Sequence, residues 1–318
     1  MALNRRKFIR NIFTSILGTV ITGSGKIFPA QKFKTVSPEN KPDPLSWKEN
    51  EINIAWIGHS TVLINIFGKI ILTDPVFSER IGLYLLGFTY GPSRITYPAM
   101  QIEEIPKPDL VLLSHAHMDH MDFESLLNLT NRFPHQLDCI TAYNTKDVIE
   151  ELKWKSLQEI DWNELTIIND IEIKALEVKH FGWRFPWEKD RSKGFMEDGR
   201  SYNAYVIQRN NKKILFGGDT AYTDLFLKHK SEKVDIAIMP IGAYNPWKHN
   251  HCNPEEALIM ADYFLGARFF VPIHCNTFRQ GREPVDEPLS WLIKSSEKYD
   301  ITIGLNEIGQ TLTVDGNS

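Results

Sequence analysis

The chain has 318 residues, of which 42% are hydrophobic and 24% are charged. This length is enough for one large domain or two ordinary ones, and the composition is that of a folded globular protein rather than a disordered or fibrous one. The formal net charge of −4 disfavours a nucleic-acid partner, because binding the phosphate backbone requires a basic surface.

Residues 1–30 differ in character from the rest of the chain. They contain five basic residues and no acidic one, and the basic residues include the pair Arg5 and Arg6. The apolar segment 12–22 has the length of a signal h-region and is too short for a stable transmembrane helix. Paired arginines in this setting resemble the bacterial Tat export signal. We therefore predict an exported protein, either periplasmic or anchored at the periplasmic side of the membrane.

The remainder divides into a short linker and one main domain. Residues 31–50 are polar and contain prolines, which indicates a linker, and the domain is predicted at 51–318. Two stretches of the domain share one plan, in which an apolar strand, a polar turn and a second apolar strand ending in aspartate precede a fully apolar strand. The predicted strands are 52–57, 61–66, 70–74 and 109–115 in the first half, and 202–207, 213–219 and 235–239 in the second.

Unbroken apolar strands are typical of sheets that are buried on both faces. Two similar halves of this kind predict two sheets packed together and covered by helices outside. The fold class is therefore α/β, as a four-layer αββα sandwich, and ligands at the strand ends of both halves would meet in the cleft between them. Helix signals occur at 123–131, with Asp122 as N-cap, and at 253–266, with Asn253 as N-cap.

The most informative stretch directly follows the last strand of the first half. It places three histidines and an aspartate within six residues, namely His115, His117, Asp119 and His120. Neutral imidazole and carboxylate suit zinc and similar divalent metals. His115 and His117 can point to one ion while Asp119 and His120 point to another, so the motif predicts two metal ions. Two metals held close together are typical of enzymes that hydrolyse esters and phosphodiesters.

Three further candidate ligands stand at the ends of predicted apolar strands. They are His180, Asp219 and His274. One such residue alone is most often structural. Here, however, all seven candidates are of the donor types that a divalent metal binds, and side chains at strand ends reach a shared cleft.

The three cysteines, Cys139, Cys252 and Cys275, are too few for a disulfide scaffold. Cys252 and Cys275 each follow a histidine that we consider functional. Both thiolate ligation and a role as small buried residues are therefore open for them.

The ordered pattern His-x-His-x-Asp-His, then His, Asp and His, resembles the metallo-β-lactamase superfamily of binuclear hydrolases. Within it, several stretches are similar to the N-acyl-phosphatidylethanolamine-hydrolysing phospholipase D branch, and the likeness covers roughly residues 52–312. These stretches are 57–63, 72–80, 242–246, 251–257 and 273–278. One departure is Cys275-Asn276, where the family usually has Trp-Gly.

The resemblance implies a sandwich of the metallo-β-lactamase type and two zinc ions. The implied ligands are His115, His117 and His180 for one ion, Asp119, His120 and His274 for the other, and Asp219 as the bridge between them. A hydroxide shared by the metals would attack phosphorus, and Asp119 would orient and deprotonate it. We take His251 as the donor to the leaving alkoxide, and His59 and Asp74 as supports of the ligands; the alternative for Asp74 is that it caps the turn before Pro75.

The implied activity is that of a phospholipase D-type phosphodiesterase. It would release N-acylethanolamine and phosphatidic acid from N-acyl-phosphatidylethanolamine or a related phospholipid. The alternative is a lactonase or other carbonyl-ester hydrolase of the same superfamily, because the same hydroxide attacks a carbonyl. The family also implies a dimer.

Two apolar stretches have no place in the predicted sheets, 81–90 and 181–187. Interleaved aromatic and basic residues suit acyl chains or a membrane surface, whereas the alternative is plain packing beneath the outer helices. The candidate substrate contacts are Phe181, Trp183, Trp187 and Tyr244.

Overall fold

Strands make up most of the regular structure in the computed structural model, which describes residues 35–85, 88–191 and 198–316. In chain order they are β1 Glu51–Gly58, β2 Thr61–Ile66, β3 Lys69–Thr73, β4 Leu83–Leu85, β5 Phe88–Tyr90, β6 Leu110–Leu112, β7 Asp138–Ala142, β8 Ser156–Ile160, β9 Leu165–Ile168, β10 Ile171–Glu177, β11 Asn203–Arg209, β12 Lys212–Phe216, β13 Ile236–Pro240, β14 Phe269–Ile273, β15 Thr302–Ile303 and β16 Thr311–Asp315. The α-helices are α1 Phe123–Arg132, α2 Tyr244–Trp247, α3 Pro254–Ile259 and α4 Glu287–Ser296. Further helical segments, of 3-10 or π type, are Pro44–Ser46, Lys146–Val148, Leu225–Glu232 and Met260–Phe264.

Two seven-stranded sheets share one strand plan. The first has the order β16-β1-β2-β3-β6-β7-β8, and the second has the order β15-β14-β13-β12-β11-β10-β9. In the first sheet β1, β2 and β3 pair antiparallel and β6, β7 and β8 then add in parallel. In the second sheet β10, β11 and β12 pair antiparallel and β13, β14 and β15 add in parallel. The prediction of two similar halves is confirmed.

The central strands are buried on both faces, which creates the layers. Trp56 of β1 points into the core between the sheets, whereas the neighbouring Ile57 points into a second core beneath α1. Leu126 of α1 belongs to that second core. Helices α3 and α4 pack against each other, with Leu258 and Leu292 buried in the larger core, and α3 also contacts β13. The fold is the predicted four-layer αββα sandwich.

The N-terminal segment differs from the prediction in its described part. Val36 forms a bridge with Thr96, and Asn40 donates a hydrogen bond to Glu307 at 2.9 Å. Residues 35–50, predicted as linker, therefore attach to the domain through hydrogen bonds that composition does not reveal. The predicted export signal 1–30 lies outside the described residues. Of the helices in the described part of the chain, none is both long and apolar enough to cross a membrane.

Helix boundaries show where local signals succeed and where they mislead. Asn253 caps α3 as predicted, since its side chain accepts from the Glu256 N–H at 2.9 Å and Glu256 returns the bond. The helix predicted over 253–266 nevertheless changes to a π turn at Met260. Asp122 does not cap α1 through a backbone N–H; its Oδ2 accepts instead from the hydroxyls of Ser78 and Ser125, each at 2.5 Å.

The apolar stretch 81–90 contains the strands β4 and β5, which form a separate hairpin. Ile81 is buried in a small cluster with Val76 and Phe278, while Leu83 and Tyr90 are exposed. The stretch therefore belongs to neither of the two large sheets, and it is not a fully covered segment.

Candidate metal centre

The predicted ligands come together because each follows the end of a central strand. The loop after β6 carries four of them, while His180 follows β10, Asp219 follows β12 and His274 follows β14. Ligands of α/β sheets gather outside the carboxyl ends of the strands, since neighbouring parallel strands end at the same edge. The backbone at this edge is tightly packed. Gly218 has φ +55°, and a Cβ there would lie 2.7 Å from Ser114 Cβ, so Asp219 requires a glycine before it.

The converging side chains form two groups of four residues, in each of which the donor atoms lie within 4.8 Å of one another, and Asp219, His251 and His274 form a third such group that overlaps both. The first comprises His115, His117, His180 and Asp219, and the second comprises His59, Asp119, His120 and His274. Asp219 Oδ2 lies 3.2 Å from Nε2 of both His120 and His274, and 3.7 Å from Nε2 of His180. Asp219 therefore faces both groups, as expected of a bridging ligand.

The donor atoms fit divalent metal ions. Among the described residues, His120 Nε2 and Asp219 Oδ1 are buried without a hydrogen-bond partner. Buried polar atoms are normally paired, and a cation would satisfy these lone pairs. His115 Nε2 lies 2.8 Å from His117 Nδ1, an arrangement of ring nitrogens that suits a shared ion. Histidine nitrogens with a few carboxylates are the donor set of zinc sites.

Burial keeps several of these imidazoles neutral. Desolvation lowers the pKa of His117 to about 4, and the pKa values of His180 and His251 to about 3. A neutral imidazole is the form that binds a metal. His251 is also neutral at pH 7, so it can donate a ring N–H to a leaving oxygen but does not hold a positive charge.

The carboxylates change the protonation of other rings. Burial lowers the pKa of His274, but the charge of Asp219 and a hydrogen bond to Asp119 outweigh burial and raise that pKa to about 9. Burial in turn would raise the pKa of Asp219, yet His120 and His274 hold it well below its usual range. Since a metal must displace the proton on His274, metal binding is expected to release protons.

Asp74, predicted as a support, connects to both donor groups. Its Oδ2 accepts from His120 Nδ1 at 2.7 Å and from Ser114 Oγ at 2.6 Å, and its Oδ1 accepts from the Ser114 N–H at 2.8 Å. Ser114 Oγ also lies 2.8 Å from His115 Nδ1. Asp74 thus orients His120 directly and His115 through Ser114, in the way that partners of ligating histidines usually do.

His59 and Gln280 contact Asp119. His59, predicted as a support, has its Nε2 3.1 Å from Asp119 Oδ2 and lies inside the second donor group. Gln280 Nε2 donates to the same oxygen at 2.6 Å. Sequence reasoning missed Gln280, since an amide side chain far along the chain carries no metal signal. It also missed Ser114, for which only the position next to His115 could have been a signal.

A cleft of about 830 Å³ opens over the donor groups. Phe181 and Trp183 line it, with ring centroids 4.8 Å apart, and Phe181 lies 4.4 Å from the His117 ring. His251 lines it as well, with Nδ1 3.8 Å from Asp219 Oδ2. The structure therefore brings Phe181, Trp183 and His251 to the site.

Two of the predicted substrate contacts are not part of this lining. Trp187 is 69% exposed and stacks on Phe185 with ring centroids 4.8 Å apart. The Tyr244 hydroxyl donates to Glu287 at 2.6 Å. Trp187 is predicted from the aromatic stretch after His180 and Tyr244 from the stretch 242–246, and neither residue is among those that line the cleft.

The cysteines are small buried residues. Cys139, Cys252 and Cys275 are free and buried, and within the described parts of the chain none belongs to the donor groups. Cys252 Sγ donates to the Pro240 carbonyl, and burial raises the pKa of this thiol. Thiolate ligation, one of the two options left open by the sequence, has no support at these positions.

An αββα sandwich with a buried His/Asp donor cluster at its strand ends defines a metal-dependent hydrolase. The chain belongs to the β-lactamase superfamily, whose family model, described as a β-lactamase superfamily domain, matches residues 69–275.

Two relatives and one solved structure illustrate the likeness. N-acyl-phosphatidylethanolamine-hydrolyzing phospholipase D 1 of Caenorhabditis elegans is 29% identical over 287 residues, which are 82% of this chain and 76% of that protein. The mitochondrial N-acyl-phosphatidylethanolamine-hydrolyzing phospholipase D of Saccharomyces cerevisiae is 33% identical over 266 residues, which are 77% of this chain and 53% of that protein. Igni18, a metallo hydrolase from Ignicoccus hospitalis, has a similar fold, with a TM-score of 0.60, 18% identity, and coverage of 83% of this chain and 98% of that one.

Proposed function

We propose that the protein holds two zinc ions and hydrolyses a phosphodiester bond of a glycerophospholipid. The observation that carries the proposal is the position of Asp219 Oδ2, which lies 3.2 Å from His274 Nε2 and 3.7 Å from His180 Nε2. One carboxylate facing two donor groups is the arrangement that a bimetallic centre needs. The ligands would be His115, His117 and His180 for one ion and Asp119, His120 and His274 for the other, with Asp219 shared.

The proposed reaction is of the phospholipase D type. In N-acyl-phosphatidylethanolamine or a related lipid, water would cleave the bond between phosphorus and the ester oxygen of the N-acylethanolamine group. The products are phosphatidic acid and N-acylethanolamine, in which that oxygen is the hydroxyl. The names of the nematode and yeast relatives support this substrate. A cleft of about 830 Å³ is within the range of small-molecule sites, and its Phe181 and Trp183 wall offers an apolar surface.

The chain's own residues have distinct tasks in this reaction. Bound metals would polarise the phosphoryl oxygen and provide a nucleophilic water at neutral pH. Asp119, whose Oδ2 accepts from Gln280 and faces His59, would orient that water and accept its proton. His251, which is neutral, would donate a hydrogen bond from its ring N–H to the departing alkoxide oxygen, and that oxygen would take up the proton that Asp119 accepted from the water.

A lipid substrate calls for contact with a membrane surface. Trp247 lines the cleft and is 52% exposed, which suits insertion at a lipid headgroup layer. The proposal therefore includes a surface that contacts the membrane. It also includes a dimer, as the family resemblance implies, and export to the periplasm.

Metal content is the first prediction. Purified protein is expected to contain about two divalent ions per chain, since two donor groups share one carboxylate. Removing them with a chelator should lower the Tm, because a ligand that binds only the folded state stabilises it. Elemental analysis and thermal melts before and after dialysis measure both effects. One ion or none would contradict the bimetallic proposal.

The substrate is the second prediction. A panel of phosphodiesters that includes N-acyl-phosphatidylethanolamine in mixed micelles is expected to be hydrolysed faster than a matched panel of lactones. Product analysis should show phosphatidic acid, and Asp119→Asn serves as the inactive control. Turnover of the lactones alone would mean that the carbonyl-ester alternative is right and the phospholipase proposal is wrong.

A further inference from the structure

Arg184 is a cation in the cleft whose guanidinium forms no ion pair within 4.0 Å among the described residues, although the carboxylates of Asp122, Glu188 and Asp119 act on its pKa from a greater distance. It lines the cleft together with His117, Asp119 and His251. Its hydrogen bonds within the described part of the chain go to backbone carbonyls and, through its own backbone N–H, to Glu188. A partly buried charge is costly unless it is paired, so an anion in the cleft would complete this site.

Arg184 is held through its side chain and through its backbone. Arg184 Nη1 donates to the carbonyls of Ala116 at 2.6 Å and Met121 at 3.0 Å, which bracket the metal-binding loop 117–120. The Arg184 backbone N–H donates to Glu188 Oε2 at 2.7 Å, and Arg200 Nε holds that same oxygen at 2.9 Å. The guanidinium is therefore fixed beside the metal loop before any ligand binds.

The opposite edge of the guanidinium is available. A guanidinium has five N–H donors, and the two contacts described above use the Nη1 donors. Nε and Nη2 make no hydrogen bond with the described residues and are not among the fully buried polar atoms. These two nitrogens form the fork that binds phosphate or carboxylate oxygens in a bidentate manner.

We propose that Arg184 binds a non-bridging phosphate oxygen of the substrate through Nε and Nη2, and so selects anionic phosphodiesters over uncharged esters. This assignment rests on the proposed function, since it names the residue that recognises the negative charge of the same substrate. The anchored Nη1 sets the distance of the fork from the metal loop, so the scissile phosphate would lie between the guanidinium and the donor groups. Arg279 also lines the cleft and adds positive charge there.

The test compares Arg184→Met and Arg184→Lys with a matched control, Arg132→Met. Arg132 Nη1 also donates to two backbone carbonyls, those of Ile102 and Ile105, but Arg132 does not line the cleft. The metal-loaded full chain is assayed with a soluble phosphodiester and with an uncharged aryl ester. Inorganic phosphate is titrated as a competing ligand, and metal content is measured for each variant.

Arg184→Met is expected to raise the KM for the phosphodiester and the Kd for inorganic phosphate by about 10- to 100-fold, as loss of a charge-assisted bidentate contact does. Arg184→Lys should show a smaller increase in both constants, and Arg132→Met should keep the KM and the phosphate Kd of the wild type. Unchanged phosphate affinity, an equal loss on the uncharged ester, or loss of metal in Arg184→Met would each overturn the assignment and leave Arg184 as a clamp of the loop. If wild-type protein cleaves no phosphodiester, the proposed function fails, while the phosphate titration still decides the role of Arg184.

Discussion

Replacing Asp219 with asparagine is expected to lower hydrolysis by more than about 100-fold and to reduce the bound metal to one ion or fewer. Removing a residue that only orients a metal ligand usually lowers metal affinity or activity by about 10- to 100-fold. Loss of the shared ligand itself should therefore lower activity by more than that. Asp219 faces His120, His180 and His274 at 3.2, 3.7 and 3.2 Å and is buried. An amide of the same shape keeps the packing but removes the negative charge that two cations would share.

The measurement is the metal stoichiometry and kcat/KM of Asp219→Asn at saturating metal, alongside thermal unfolding. Asp138→Asn is a matched control, since Asp138 is also buried and accepts from Lys155, Ser156 and Asn169 outside the donor groups. The control should lose stability but keep its metal and its activity. Full metal content and activity in Asp219→Asn would show that another group bridges the site.

The parts of the fold that could be predicted depend on short-range signals. Apolar runs that end in aspartate or histidine identified β3, β6, β12 and β14, and strands of this kind bring their ends together by the geometry of parallel pairing. The donor types and their order then identified the seven candidate ligands. The cap at Asn253 could be predicted for the same reason, because its capping box involves only residues 253–256.

The parts that could not be predicted depend on contacts between distant segments. Gln280 reaches Asp119 across 161 positions, and Arg184 reaches the carbonyl of Ala116 across 68. Neither residue type signals a ligand contact by itself. Tyr244 and Trp187 are predicted as substrate contacts but do not line the cleft, since neither a family-like stretch nor an aromatic one decides which side chains reach a cavity. The cap of α1 differs for a similar reason, as Ser78 lies 44 positions away from Asp122.

Replacing Asp74 with asparagine is expected to weaken the affinity for both metal ions by about 10- to 100-fold, the usual cost of losing the partner of a ligating histidine. Asp74 accepts from His120 Nδ1, so His120 presents the lone pair of Nε2 to the donor cluster. An asparagine amide would point an N–H at the same nitrogen or leave it without a strong acceptor, which favours the wrong tautomer. The effect extends to the first group because Ser114 Oγ donates to Asp74 and accepts from His115 Nδ1.

This relay makes the two ions separable. Ser114→Ala removes the hydroxyl between Asp74 and His115 but leaves the contact of Asp74 with His120, so it should weaken the ion of His115, His117 and His180 more than the other. Competition with a chromophoric chelator, followed in two steps on the metal-loaded protein, gives the two affinities of each variant. If Asp74→Asn binds both ions as tightly as the wild type does, Asp74 does not orient the metal ligands. Equal weakening of both ions in Ser114→Ala would mean that the serine acts on the whole loop rather than through His115.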